Sequence, residues 1–224
     1  MKVPDSGGHS GPLGILGGTF DPVHLAHLAL ARAALDRLGL AQVRWIPAGH
    51  PPHRASPLAT PEDRLAMVRL AIAVEPRYAL DDSEAKSSAP SYTVQTLERL
   101  RRKFGPARPL VLLMGADAFR GLRSWHRWAD LLGLAHIAVA TRPGFPLAAL
   151  DAPLADLFSR CRLAGPDFAQ QPAGGIFPFE LVAGTVSATE ARALIAAGAP
   201  DAQLLELLPA PVLDYIRQHH LYRN

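Results

Sequence analysis

The sequence predicts an α/β fold with a doubly wound, mostly parallel sheet that carries helices on both faces. Short apolar runs alternate with longer runs of helical spacing along the whole chain. The run Leu110–Met114 is continuously apolar, which is typical of a strand covered on both faces. The length of 224 residues suits one large domain, which we expect at residues 13–224 after a loose tail at residues 1–12.

Six short apolar runs bounded by Gly, Pro or polar residues predict the strands. In chain order they are Leu13–Leu16, Val43–Ile46, Tyr78–Leu80, Leu110–Met114, Ile137–Ala140 and Ile176–Val182.

Helices are predicted where apolar residues recur three and four apart. Gly39 ends the first helix, and Thr60 before Pro61 with acidic residues after it is an N-terminal signal for the second. The predicted helices are Val23–Leu38, residues 61 to about 74, Ser91–Phe104, Trp125–Leu132, Pro153–Cys161, Ala188–Ala197 and Pro211–His219, the last two forming a helical C-terminal part.

Composition excludes several classes of protein. Apolar residues at 49% and charged residues at 19% exclude a disordered chain. The net charge of +3 with no basic run gives no sign of a nucleic-acid partner, and no apolar stretch is long enough to span a membrane. Cys161 is the single cysteine, which rules out an intramolecular disulfide and fits a cytoplasmic location.

In a doubly wound sheet, ligands bind beyond the carboxyl ends of the strands. The loop Gly17–His27 leaves the first predicted strand and enters a helix. Its paired glycines allow close backbone approach, and the helix start favours phosphate. His24 and His27 are three residues apart, so both rings can reach one anion. The segment is neither a G-x-G-x-x-G fingerprint nor a Walker motif, and it lacks the Glu and third ligand of a zinc site.

The segment GGTFDPVHLAH, Gly17–His27, resembles the H-x-G-H nucleotidyltransferase superfamily, with Ala26 at the usual glycine. Its second signature resembles Val186–Arg192, where Ala188 stands at the second serine of I-S-S-T-x-x-R. Ser187 and Thr189 lie at a predicted helix start, where hydroxyl and N–H groups bind phosphate oxygens, and Arg192 is three residues further on.

Further segments are similar to the nicotinate-nucleotide adenylyltransferase family. They are Pro51–Arg54, Pro90–Leu97 (PSYTVQTL), Gly115–Asp117, Trp125–Trp128, Arg142–Gly144 and Leu208–Tyr222, so that the resemblance covers the chain from Gly17 to Arg223. The chain departs from that family at Ala48-Gly49, where an asparagine is frequent.

The resemblance implies transfer of the adenylyl group of ATP to nicotinate mononucleotide in NAD biosynthesis, with release of pyrophosphate. It implies catalytic roles for His24, His27 and Arg192. It implies magnesium carried by the ATP phosphates, with no protein metal ligand. The ATP site would comprise Gly17, Gly18, Thr19, Phe20, His24, His27, Gly115, Asp117, Ser187, Ala188, Thr189 and Arg192. Asp117 would accept from a ribose hydroxyl; its alternative role is a helix N-cap.

The mononucleotide site that the resemblance implies has three parts. Arg54 with His53 would face the phosphate, Tyr92 and Thr93 the nicotinate carboxylate, and Trp125 would stack on the pyridine ring. Trp128 is instead expected in the core. The full set would be Thr19, Phe20, His53, Arg54, Ser91, Tyr92, Thr93, Trp125 and His126.

Two alternatives remain open at this point. One is another small-molecule adenylyl- or cytidylyltransferase of the same superfamily, and the other is a nucleotide-binding module without turnover. The sequence does not fix the oligomeric state.

Overall fold

The structure is a computed structural model that describes residues 11–51, 56–142, 144, 147, 150–181 and 186–223. Within these ranges six strands form one sheet, and every pair of neighbouring strands is parallel. Their order is β3-β2-β1-β4-β5-β6. The strands are β1 (Leu13–Gly18), β2 (Gln42–Pro47), β3 (Tyr78–Leu80), β4 (Leu110–Gly115), β5 (His136–Thr141) and β6 (Ile176–Glu180).

Helices connect the strands and complete the C-terminal part. They are α1 (Leu25–Arg37), α2 (Pro61–Ile72), α3 (Thr93–Phe104), α4 (Ala116–Arg120), α5 (Leu131–Leu134), α6 (Ala152–Cys161), α7 (Ala188–Ala196), α8 (Asp201–Leu204) and α9 (Ala210–Gln218). The predicted α2 cap is confirmed, because the Thr60 hydroxyl accepts from the Asp63 N–H at 3.1 Å.

The prediction of one helix over Trp125–Leu132 is wrong. Single 3-10 turns occupy Leu122–Ser124 and Trp128–Asp130, and α5 begins only at Leu131. Arg127 between them has a left-handed backbone with φ 52°, which interrupts a helix. The third predicted helix starts at Thr93 instead of Ser91, because the Ser91 N–H donates to the main-chain oxygen of His50 at 3.0 Å and Tyr92 has an extended backbone.

Two hydrophobic layers enclose the sheet. One contains side chains of α1, α2, α7, α8 and α9, and the other contains side chains of α3, α4, α5 and α6. From β1 to β3 the strands are added toward one side of the sheet, and from β4 to β6 toward the other, so the loops that follow β1 and β4 open a crevice at the carboxyl edge. The loops carrying the predicted site begin at this edge. No helix in the described ranges is long and apolar enough to cross a membrane.

Candidate functional site

The loop after β1 is shaped by the contact between Gly18 and Phe20. Phe20 has a left-handed backbone with φ 51°, and its buried ring lies against the Gly18 backbone. A Cβ on Gly18 would come within 2.9 Å of that ring. Glycine is therefore required here for the chain to turn from β1 toward α1.

The two predicted histidines lie together at the start of α1. His24 is the N-cap residue, and its ring stacks on that of His27 with centroids 3.7 Å apart. The His24 N–H donates to Nδ1 of His27 at 3.3 Å. A ring nitrogen that accepts cannot carry the proton of a neutral imidazole, so that proton lies on Nε2 of His27. The N–H of the His27 ring is therefore on the side away from the His24 main chain.

His24 is held neutral by its surroundings. Its side chain is buried, and burial lowers the pKa of His24 to about 4. Its Nδ1 is buried and has no hydrogen-bond partner among the described residues. A buried polar atom of this kind is unfavourable unless a ligand or water pairs with it.

The second signature lies at the start of α7. Ser187 is the N-cap, and its hydroxyl accepts from the Glu190 N–H at 3.1 Å. Arg192 lies 3.4 Å from the Thr189 hydroxyl through Nη2 and donates to the main-chain oxygen of Asp21 at 2.7 Å through Nη1. The structure therefore joins the two signatures directly, because Asp21 precedes His24 by three residues.

Asp21 is buried and forms hydrogen bonds with several separate segments of the chain. Its carboxylate accepts from the N–H groups of Leu58 and Ala59 at 2.9 and 3.1 Å, and from the Tyr222 hydroxyl at 2.7 Å. Burial and the nearby Asp21 carboxylate raise the pKa of Tyr222, which keeps the phenol protonated as a donor. The carboxylate is thus occupied by hydrogen-bond donors of the protein.

Three residues of this region were missed by sequence reasoning: Asp21, Arg64 and Tyr222. Arg64 is fully buried and donates to main-chain oxygens of the loops after β1 and β2. Arg64 stands three and four residues before Met67 and Val68, so it lies on the apolar face of α2. A charged residue on an apolar helix face could have indicated from the sequence that Arg64 is buried and has a specific role. No local pattern marks Tyr222.

The loop after β2 meets the segment Pro90–Thr93. The Ser91 hydroxyl accepts from the Gly49 N–H at 3.0 Å and from the His50 N–H at 3.4 Å. It also donates to Glu84, whose pKa is raised chiefly by burial. A Cβ on Gly49 would lie 2.2 Å from the Glu84 main-chain oxygen, so an asparagine does not fit this backbone.

Some of the residues predicted to bind the pyridine ring and its carboxylate lie close together in the structure. The rings of Tyr92 and His126 are 4.4 Å apart, and Thr93 is the first residue of α3. Trp125 and Trp128 are both half-buried against the layer beneath α3. The structure thus brings Tyr92, Thr93 and His126 together at one end of α3.

The loop after β4 carries the remaining ATP residues. Gly115 is the N-cap of α4, so the alternative role of Asp117 as a helix N-cap is wrong. The exposed Asp117 carboxylate pairs with Arg120 at 2.8 Å. Its predicted contact to a ribose stays a prediction, as do the contacts of Gly17, Thr19 and Ala188.

The structure does not test the two residues that are predicted to face the phosphate of the mononucleotide. His53 and Arg54 lie outside the described residues. Among the residues that the structure does describe, no group of three or more His, Cys, Asp or Glu side chains is placed to hold a metal ion.

The comparisons with known proteins agree with one another. The family profile described as Cytidylyltransferase-like matches residues 15–193. A protein of Dechloromonas aromatica (strain RCB), named "Probable nicotinate-nucleotide adenylyltransferase", is 54% identical over 96% of this chain and 99% of its own. One of the same name from Laribacter hongkongensis (strain HLHK9) is 48% identical over 95% and 94%.

A solved structure supports the fold independently. Nicotinic acid mononucleotide adenylyltransferase of Plasmodium falciparum, complexed with NaAD, superposes with a TM-score of 0.71 over 95% of this chain and 97% of that one. Its sequence identity is 17%, so this likeness concerns the fold.

Proposed function

This chain belongs to the cytidylyltransferase-like family and, by its curated relatives, to the nicotinate-nucleotide adenylyltransferases, and we propose on that basis that it transfers the adenylyl group of ATP to nicotinate mononucleotide. The products are nicotinate adenine dinucleotide and pyrophosphate. The observation that carries the proposal is the hydrogen bond from Arg192 to Asp21, because it joins the loop that carries the two histidines to the start of α7.

A phosphate oxygen of the mononucleotide attacks the α-phosphorus of ATP in line, and the bond from that phosphorus to the bridging oxygen of pyrophosphate breaks. This displacement needs no protein nucleophile. The chain lowers its barrier by holding the reactants in line and by stabilising the charge that develops on the phosphates.

Each group at the crevice has a role in this proposal. His27 donates from Nε2 to a phosphate oxygen, and the neutral His24 ring lies beside it. Arg192 holds the β- and γ-phosphates together with the N-terminal groups of α7. Thr19 and Phe20 contact both nucleotides through the backbone, and Asp117 accepts from the ATP ribose.

We propose that nicotinate mononucleotide binds beside the place where the loop after β2 meets the start of α3. Trp125 stacks on the pyridine ring, and Tyr92, Thr93 and the backbone near His126 bind its carboxylate. His53 and Arg54 face its phosphate. The Ser91 hydroxyl is engaged with Gly49, His50 and Glu84, so its part is to hold this loop to α3.

Magnesium enters this proposal as part of the ATP substrate, where it neutralises charge on the phosphates. The surroundings fit that form of binding. The Asp21 carboxylate is fully engaged by protein donors, and the Asp117 carboxylate is paired with Arg120. We also propose a cytoplasmic location, because a single cysteine, Cys161, fits a reducing compartment.

The test is a pyrophosphate-release assay with ATP, magnesium and a panel of phosphorylated acceptors. Nicotinate mononucleotide is expected to give the highest kcat/KM, with nicotinamide mononucleotide as the matched competitor. If the enzyme prefers phosphopantetheine or another acceptor, the proposed substrate is wrong and the proposed enzyme class stands. Tight ATP binding without pyrophosphate release from any acceptor would establish a binding module instead.

A further inference from the structure

Arg64 connects three separate segments at the carboxyl edge of the sheet. Nη1 donates to the main-chain oxygens of Thr19 and Ala48 at 2.7 and 2.5 Å, and Nη2 donates to that of Gly49 at 2.9 Å. Nε donates to the Ala59 oxygen at 3.3 Å. The side chain is fully buried, so water does not satisfy these four acceptors in its place.

The connected segments carry the two halves of the proposed site. Thr19 belongs to the loop that leads to His24 and His27. Ala48 and Gly49 begin the loop after β2. The N–H groups of Gly49 and His50 donate to the hydroxyl of Ser91, which precedes α3 in the region assigned to the mononucleotide. One guanidinium group therefore joins the loop that leads to the two histidines and the loop after β2, which we assign to the acceptor.

We propose that Arg64 is a positioning residue that fixes the separation and angle between these two loops, and thereby the line of attack of the acceptor on ATP. This inference rests on the proposed function. Arg64 contacts no reacting atom in it. It acts through the main-chain oxygens that it holds.

The chemistry of the side chain explains why arginine is needed. A guanidinium has five N–H donors in one rigid plane and can serve four oxygens of different segments at once. A lysine ammonium in the same place has three donors on one nitrogen and leaves at least one buried carbonyl without a partner. The loops then relax toward other geometries, and a misplacement of about 1 Å lowers the rate of an in-line reaction by as much as ~100-fold.

The chain contains a matched control at the opposite edge of the sheet. Arg101 in α3 donates to several main-chain oxygens, those of Leu134 at 2.7 Å, of Arg108 and of Pro172 among them. The Pro172 oxygen also accepts from the N–H of Leu110, the first residue of β4, which places Arg101 at the amino edge. Arg101→Lys thus removes the same kind of contact away from both loops.

The experiment compares wild type, Arg64→Lys and Arg101→Lys for kcat, for KM of each substrate, for binding of ATP-magnesium without acceptor, and for far-UV circular dichroism and Tm. Arg64→Lys is expected to fold, to bind ATP nearly as wild type does, and to lose kcat by about 10- to 100-fold. Arg101→Lys is expected to lower Tm while its kcat stays at the wild-type value. In Arg64→Ala, added guanidinium ion is expected to restore part of the lost kcat.

Other results overturn the inference. They are equal kcat in the two lysine variants, a kcat loss that only follows the loss of folded protein, and absence of any rescue by guanidinium. Failure of both Arg64 variants to fold while Arg101→Lys folds also overturns it, because the contact would then serve the fold itself. A wild-type protein without pyrophosphate release rejects the proposed function, which is a different result.

Discussion

Arg192 donates a hydrogen bond of 2.7 Å from Nη1 to the main-chain oxygen of Asp21, a residue 171 positions earlier in the chain. The same nitrogen lies 3.9 Å from the Asp21 carboxylate. This contact joins the start of α7 to the loop that precedes the two histidines and α1. Each of the following predictions tests a consequence of that arrangement.

Arg192→Lys tests the contact itself. The ammonium cannot reach both the Asp21 oxygen and a phosphate in the plane that the guanidinium uses. We expect kcat to fall about tenfold or more, since a hydrogen bond to a charged group contributes ~1.5–3 kcal/mol. Steady-state kinetics with varied ATP measure this. Arg160→Lys, in an exposed pair with Asp156 on α6, is the control and should leave kcat unchanged.

His27→Ala tests the donor assigned to the triphosphate. Loss of a pre-oriented donor to developing charge is expected to lower kcat by about 100- to 1,000-fold while the fold persists. Kinetics and circular dichroism on the same preparation measure both properties. His219→Ala, which removes an exposed ring stacked on Tyr215, is the comparison. A His27→Ala protein with near-normal kcat would remove His27 from the mechanism.

Trp125→Ala tests the stacking on the pyridine ring. We expect KM for nicotinate mononucleotide to rise about tenfold, because a desolvated cation on an indole face is worth up to ~2 kcal/mol. The KM for ATP should change far less. Trp128→Ala is the matched control, since Trp128 is also half-buried against the same layer. Equal changes in both KM values would contradict the placement of Trp125.

Tyr222→Phe tests whether the C-terminus supports Asp21. The variant removes one of three donors to a buried carboxylate, which is expected to lower the free energy of unfolding by about 1–3 kcal/mol. Because Asp21 is held against Arg192, we also expect a lower kcat. Tyr215→Phe removes a similar bond, from the hydroxyl to Asp63 at 2.9 Å, and should lower Tm without affecting kcat. If both variants keep full activity, Tyr222 serves stability alone.

His24 should make stability depend on pH. Its pKa is about 4 in the folded state against an ordinary value of 6.5, so only the unfolded chain binds the proton between these values. The free energy of unfolding is therefore expected to fall as pH drops from 6.5 toward 4, by at most about 3 kcal/mol from this residue. His24→Asn should flatten that part of the Tm-versus-pH curve. An unchanged slope in His24→Asn would contradict the prediction.

Local patterns were sufficient for much of the molecule. The apolar runs located the six strands within one or two residues, and Thr60 with Pro61 located the start of α2, because such signals act within a few residues of the chain. The local patterns gave a wrong prediction over Trp125–Leu132. The residue types there favour a helix, but the left-handed backbone at Arg127 interrupts it. The two segments that are predicted to bind phosphate were also recognisable in the sequence, since each is a short segment at a helix start.

What the sequence by itself determined is the alternation of strands and helices and the residue types at both helix starts. The tertiary structure decided which distant groups meet: Arg192 with Asp21, Tyr222 with Asp21, and Arg64 with Thr19, Ala48 and Gly49. The physical reason is that most of these contacts end on main-chain oxygens. Every residue has such an oxygen, so residue type carries no information about which one a distant side chain will reach until the sheet has brought them together.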